Sequence, residues 1–141
     1  MGELTRALDC SRVRIHSVES DGAAKLLRRL VLWLSRGRAV ALGNHIFLPH
    51  RSDGDLPVLA HELTHCAQYQ EWGAARYYAR GVGEQMRYLV HRLLGVGSSP
   101  YSYTVDEGRP FESYGMEQQG QIVEDCFRSD VTAAARRSYK L

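Results

Sequence analysis

The run His61-Glu62-Leu63-Thr64-His65, set inside a segment with a helix start before it and a helix stop after it, constrains this chain more than any other feature. Residues four apart share one face of an α-helix, so both imidazoles can reach a single ion. Glu62 lies about 100° round from His61 and is placed to take a proton from a water at such an ion without ligating it. Asp53 or Asp55 can cap the helix, Pro57 is harmless in its first turn, and Gly73 ends it. The spacing therefore predicts a helix over 56–72. Its face away from the histidines (Leu56, Leu59, Leu63, Cys66, Ala67) is apolar and able to anchor it in a core.

A catalytic zinc site takes a third protein ligand and leaves a position open. The segment 110–127 reads as a helix, with Glu117, Gln121 and Glu124 on one stripe beside an apolar face of Met116, Gly120, Val123 and Phe127. Glu117 is the expected third ligand, Glu124 the reserve and His91 a distant third. One zinc ion is the default for two imidazoles and a carboxylate. Tyr101, Tyr103, Tyr114 and His91 are candidate oxyanion donors, but none is assigned, because aromatics at such spacings usually pack in cores. His45 and His50 read as surface residues and Cys66 as core.

The rest of the chain is ordinary for one domain over residues 1–141. Strands are expected at 12–16, 38–42, 45–48 and 101–105, the middle two forming a hairpin around Gly43-Asn44. Helices are expected at 23–34 and 74–94, with a short basic helix or frayed end at 131–140. If the second hairpin strand lies at a sheet edge, its backbone can bind an extended peptide. No apolar run approaches the roughly 20 residues of a membrane span. Three scattered cysteines argue against a disulfide framework, and the first residues lack an apolar signal core. The expected location is therefore cytoplasmic, with export only by a machine that does not use the Sec route. A net charge of +2 makes nucleic acid an unlikely partner. Residues 1–52 nevertheless hold nine basic and four acidic side chains. That third reads as a solvated face, with contact to an acidic partner as the alternative.

The segment LAHELTHCAQ at 59–68 resembles the signature helix of the extracellular contractile injection system (eCIS) core domain, a family of zinc-metallopeptidase-like proteins found beside Rhs and type VI secretion genes in bacteria. VRIH at 13–16 and the strand pair at 39–49 are similar to its early strands. YGMEQQ at 114–119 and IVED at 122–125 resemble the following helix of its Rhs- and Vgr-associated relatives. The resemblance covers roughly 12–128. It implies an α+β fold, a small gluzincin-type, zincin-like domain, mainly helical with a short antiparallel sheet. It also implies that His61, His65 and a downstream Glu bind zinc. Many gluzincins carry an Asp four residues after the ligand Glu to orient a histidine; here Gln121 follows Glu117 at that spacing.

These readings give a zinc metallopeptidase acting on a peptide or protein substrate, associated with a bacterial secretion or toxin system. The alternative is a non-catalytic, metal-bound adaptor or loading module of such a system. A third reading, a metal-independent helical domain, would bind an acidic partner through the Arg-rich first third.

Overall fold

A computed structural model describes residues 8–17, 21–106 and 108–138, with side chains described up to residue 129. Among these, three short strands, β1 (Arg14–His16), β2 (Val40–Leu42) and β3 (His45–Phe47), accompany four α-helices. The helices are α1 (Gly22–Leu34), α2 (Leu56–Trp72), α3 (Ala74–Leu94) and α4 (Met116–Ser138). The architecture is α+β and mainly helical, as expected. The sheet is mixed rather than antiparallel: its order is β1-β3-β2, with β1 parallel to β3 and β2 antiparallel to it.

The hairpin forms where the Gly-Asn pair predicts it. Gly43 has φ 61°, which favours glycine in the turn, and a Cβ there would sit a tight 3.2 Å from the Tyr69 ring. The second hairpin strand is central and paired on both sides. The expectation of a free peptide-binding edge on it is therefore corrected. Ile46 is fully buried and packs with Ala41, Leu48 and Cys66 in the core beneath α2. Leu59 and Leu63 pack partly buried against that cluster, whereas Leu56 is exposed.

Helix α2 has the predicted bounds. The Asp55 carboxylate accepts from the Val58 N–H at 3.2 Å, and Gly73 at φ 77° ends the helix. Helix α4 begins later than the sequence pattern predicts. Pro110 leads into a 3-10 turn, Phe111–Ser113, and the Gln118 side chain accepts the Gly115 N–H at 2.9 Å. That is one half of a capping box, and it fixes the start of α4 at Met116 with Glu117 in the first turn. The helix then runs on to Ser138, through most of the segment expected as a separate basic helix; residues 139–141 lie outside the described residues.

Residues 101–105 form no strand. Tyr103 instead donates its hydroxyl to Asp125 on α4 at 2.6 Å, and the Tyr114 hydroxyl donates to the Thr104 carbonyl. No helix among the described residues is long and apolar enough to cross a membrane.

Candidate metal centre

Helix α4 lies along α2, and this packing brings together the residues the motif singled out. One ligand atom from each of His61, His65 and Glu117 lies within 4.8 Å of the others. His61 Nε2 is 3.5 Å and His65 Nε2 is 3.3 Å from the same oxygen, Oε2 of Glu117. The two rings stand 4.9 Å apart and nearly perpendicular. Bonds of 2.0–2.1 Å at tetrahedral angles would separate two donors on zinc by about 3.4 Å. The observed separations are the edges of such a polyhedron, so the donor set fits a divalent ion in both chemistry and spacing.

The far nitrogen of each imidazole is also engaged. Glu124 Oε2 lies 3.0 Å from His61 Nδ1, and a carboxylate only accepts, so Nδ1 carries the proton. Gln68 Oε1 lies 2.9 Å from His65 Nδ1. The Gln68 amide is committed as a donor to the Met116 carbonyl at 3.1 Å and to Gln119 Oε1 at 2.9 Å. Its oxygen must therefore face the histidine. Gln119 in turn donates to the Tyr114 carbonyl at 2.9 Å. Both rings thus hold their protons on Nδ1 and present Nε2 to the shared position, the arrangement a histidine ligand requires.

Glycine makes room for one ring. A Cβ on Gly120 would lie 2.8 Å from His61 Nε2, so only glycine lets the α4 backbone pass that close to the donor nitrogen.

Glu62 is buried beside the triad without joining it. Burial raises its carboxyl above the ordinary range, opposed by the nearby His65 and His61, and the Ala41 backbone N–H bonds to it. Tyr77, from α3, donates its hydroxyl to the Ala41 carbonyl at 3.1 Å, with its own ionisation pushed far up by burial. The segment of β2 beside Glu62 is therefore held at both backbone groups of Ala41. Burial alone would lower the His61 pKa, but hydrogen bonds to Glu117 and Glu124 override it and raise it to about 10. The same imidazoles, against burial, hold Glu117 well below the carboxylate range. Glu124 is held low by its hydrogen bond to His61.

Of the sequence candidates, Glu117 joins the histidines and Glu124 supports His61 from behind. His91 stands apart at the end of α3, its Nδ1 3.0 Å from the Gly97 carbonyl. Tyr101, Tyr103 and Tyr114 have partners elsewhere, in Arg38 and Gln85, Asp125, and Thr104 respectively. His45 is exposed and pairs with His16 at 3.0 Å, and His50 is exposed. Cys66 is buried, which pushes its thiol up to about 12. The roles of Gln68, Gln119, Gly120 and Tyr77 at the site are not given by the sequence. The one signal for Gln68 was a polar residue three positions after a ligand histidine.

The family model of the eCIS core domain matches residues 3–73, half of the chain. The chain belongs to the eCIS core domain family. The match takes in the sheet, α1 and α2, including His61, Glu62 and His65, and stops before α3 and the helix that supplies Glu117. Membership associates this eCIS core domain with a contractile injection system. No curated protein and no solved structure matches the chain.

Proposed function

We propose that this eCIS core domain chain is a zinc-dependent peptidase that hydrolyses a peptide bond in a protein partner of its secretion or toxin system. The observation that carries the reading is Glu62: a carboxylate kept in a buried position beside three convergent donors, yet not one of them. A site closed purely for structure has no use for such a group.

His61, His65 and Glu117 would hold the ion, with Glu124 and Gln68 orienting the rings. Zinc there would supply Lewis acidity, lowering the pKa of a water molecule and polarising the scissile carbonyl. Glu62, its basicity raised by burial, accepts the proton of the attacking water as the C–O bond forms. It returns that proton to the leaving amine as the C–N bond breaks. Met116, next to Glu117 in the chain, lines an open cavity of about 480 Å³ with Arg80, Gly83, Glu84, Arg87 and Gly115, and neither the three donors nor Glu62 lines it.

The test is cleavage of a peptide library by zinc-loaded protein. Glu62→Gln is expected to keep one zinc and lose at least 100-fold in cleavage rate, the scale of a general base. Cleavage unchanged in Glu62→Gln would contradict the assignment. One observation favours the second reading, a metal-bound adaptor or loading module: His61, Glu62, His65 and Glu117 are only 5–8% exposed. A wild type that binds zinc and cleaves nothing would decide for the module.

A further inference from the structure

The three donors and Glu62 are so enclosed that no protein segment reaches them unless an element of the fold moves. Helix α3 is held loosely enough to be that element. It meets the domain along one narrow stripe, Tyr77, Gly81, Glu84, Tyr88 and His91, an arc of about 80°. Every other residue of the helix is exposed, and Tyr77 is its one buried residue. Tyr78, Val82, Met86, Leu89, Leu93 and Leu94 are 45–70% exposed, so apolar burial does little to hold it. Gly81 and Gly83 weaken the helix from within.

The polar contacts that do hold α3 stand at the site. The Tyr77 hydroxyl donates to the Ala41 carbonyl at 3.1 Å, on the edge strand β2, and the N–H of the same residue bonds Glu62. Two turns on, the largely buried Glu84 carboxylate accepts the N–H of Met116, the residue before Glu117. The helix thus reaches from the Glu62 side of the site to the Glu117 side. Beyond these contacts Tyr88 meets Tyr101 edge-on, and an open cavity of about 480 Å³ lies between α3 and the start of α4.

A single residue, Gly73, joins α2 to α3. It has φ 77° and ψ 163°, a conformation essentially restricted to glycine, although a Cβ there would touch nothing. Elements tied by few buried contacts and a short junction open ahead of the rest of a fold.

We propose that α3 is a lid over the donor set, hinged at Gly73 and latched by Tyr77 on Ala41 and by Glu84 on Met116. The lid regulates access to the site and so rests on the proposed metal centre, but it serves a peptidase and a metal-bound module alike.

The test is hydrogen–deuterium exchange of the full metal-free chain, followed by the rate at which a chelator removes zinc from the loaded one. A detached helix of this length with two glycines unwinds in water, so exchange reports opening. Amides of 74–94 are expected to exchange together, at least tenfold faster than those of α2. Tyr77→Phe keeps the ring and removes the latch. It should speed exchange in α3 and zinc loss about fivefold each, the scale of one lost hydrogen bond, with exchange in α2 unchanged. Gly73→Ala, which strains only the hinge, should act in the same direction, whereas Tyr78→Phe, beside the latch, should change neither rate. Exchange in α3 no faster than in α2, or Tyr77→Phe speeding both helices equally, would overturn the lid. So would zinc loss indifferent to Tyr77→Phe and Gly73→Ala. A chain that takes up no zinc would refute the metal centre while the exchange pattern still decides the hinge, and a zinc-loaded chain that cleaves nothing would refute the peptidase alone.

Discussion

A buried imidazole can offer one nitrogen to a metal only when the proton on the other has an acceptor. In this chain the two acceptors differ: Glu124 serves His61 and Gln68 serves His65. Gln68→Leu is expected to lower zinc affinity 10–100-fold in competition with a chelating dye, with Gln68→Glu restoring most of it; equal affinity in all three proteins would remove Gln68 from the site. Glu117→Ala should reduce affinity far more than Glu124→Ala, since one loses a donor and the other a support, and the reverse order would exchange their roles. Gly120→Ala puts a methyl group against His61 and should weaken zinc binding with little change in helix content by circular dichroism.

The pH dependence has a definite sign in the metal-free protein. His61 is raised from 6.5 to about 10, so its contribution to stability is complete below about pH 6.5 and disappears as pH rises through 10. Glu117 and Glu124 are held below their ordinary 4.5, so theirs is present above that value and disappears on acidification. The melting temperature of metal-free protein should therefore fall between pH 6.5 and 10. The zinc-loaded protein, in which the ion takes the place of the second proton at His61 Nε2, should not show that fall. A metal-free melting temperature that is flat or rising over this range would contradict the arrangement.

At the scale of elements, the HExxH helix was fully legible, because its cap, its Pro57 and its stop at Gly73 are local signals that the fold leaves intact. Helix α4 was legible in the identity of Glu117 but not in its start. That start is fixed by Gln118 reaching back to Gly115, a choice that competes with continuing the helix from Pro110. The alternation at 101–105 suggested a strand. Its aromatic side chains are instead drawn to other elements: Tyr101 lies edge-on to Tyr88 and Tyr103 bonds Asp125. The amphipathic pattern of α1 predicted a helix correctly, and such a pattern ordinarily marks the side that faces the core. In this fold Arg28 and Val31 take the inward side. The roles of Gln68 and Glu124 depend on the register of α4 along α2, a long-range fact that no local pattern carries.

For the whole molecule, the apolar core is small and centred on Ile46, while the polar cluster between α2 and α4 is fully hydrogen-bonded: no buried side-chain polar atom among the described residues lacks a partner. The ion would join the two helices across 52 residues of chain, from His65 to Glu117. Zinc at 100 times its dissociation constant should stabilise the fold by about 2.7 kcal/mol, seen as a rise in melting temperature that a chelator reverses. No rise would mean that the cluster does not bind the ion in the folded chain.

The central claim is that two imidazoles and the Glu117 carboxylate hold one divalent ion, and anomalous diffraction at the zinc edge from crystals grown with zinc tests it most directly. The account predicts one strong peak within bonding distance of His61 Nε2, His65 Nε2 and Glu117. A peak only at the surface pair His16 and His45, or none near α2, would contradict it.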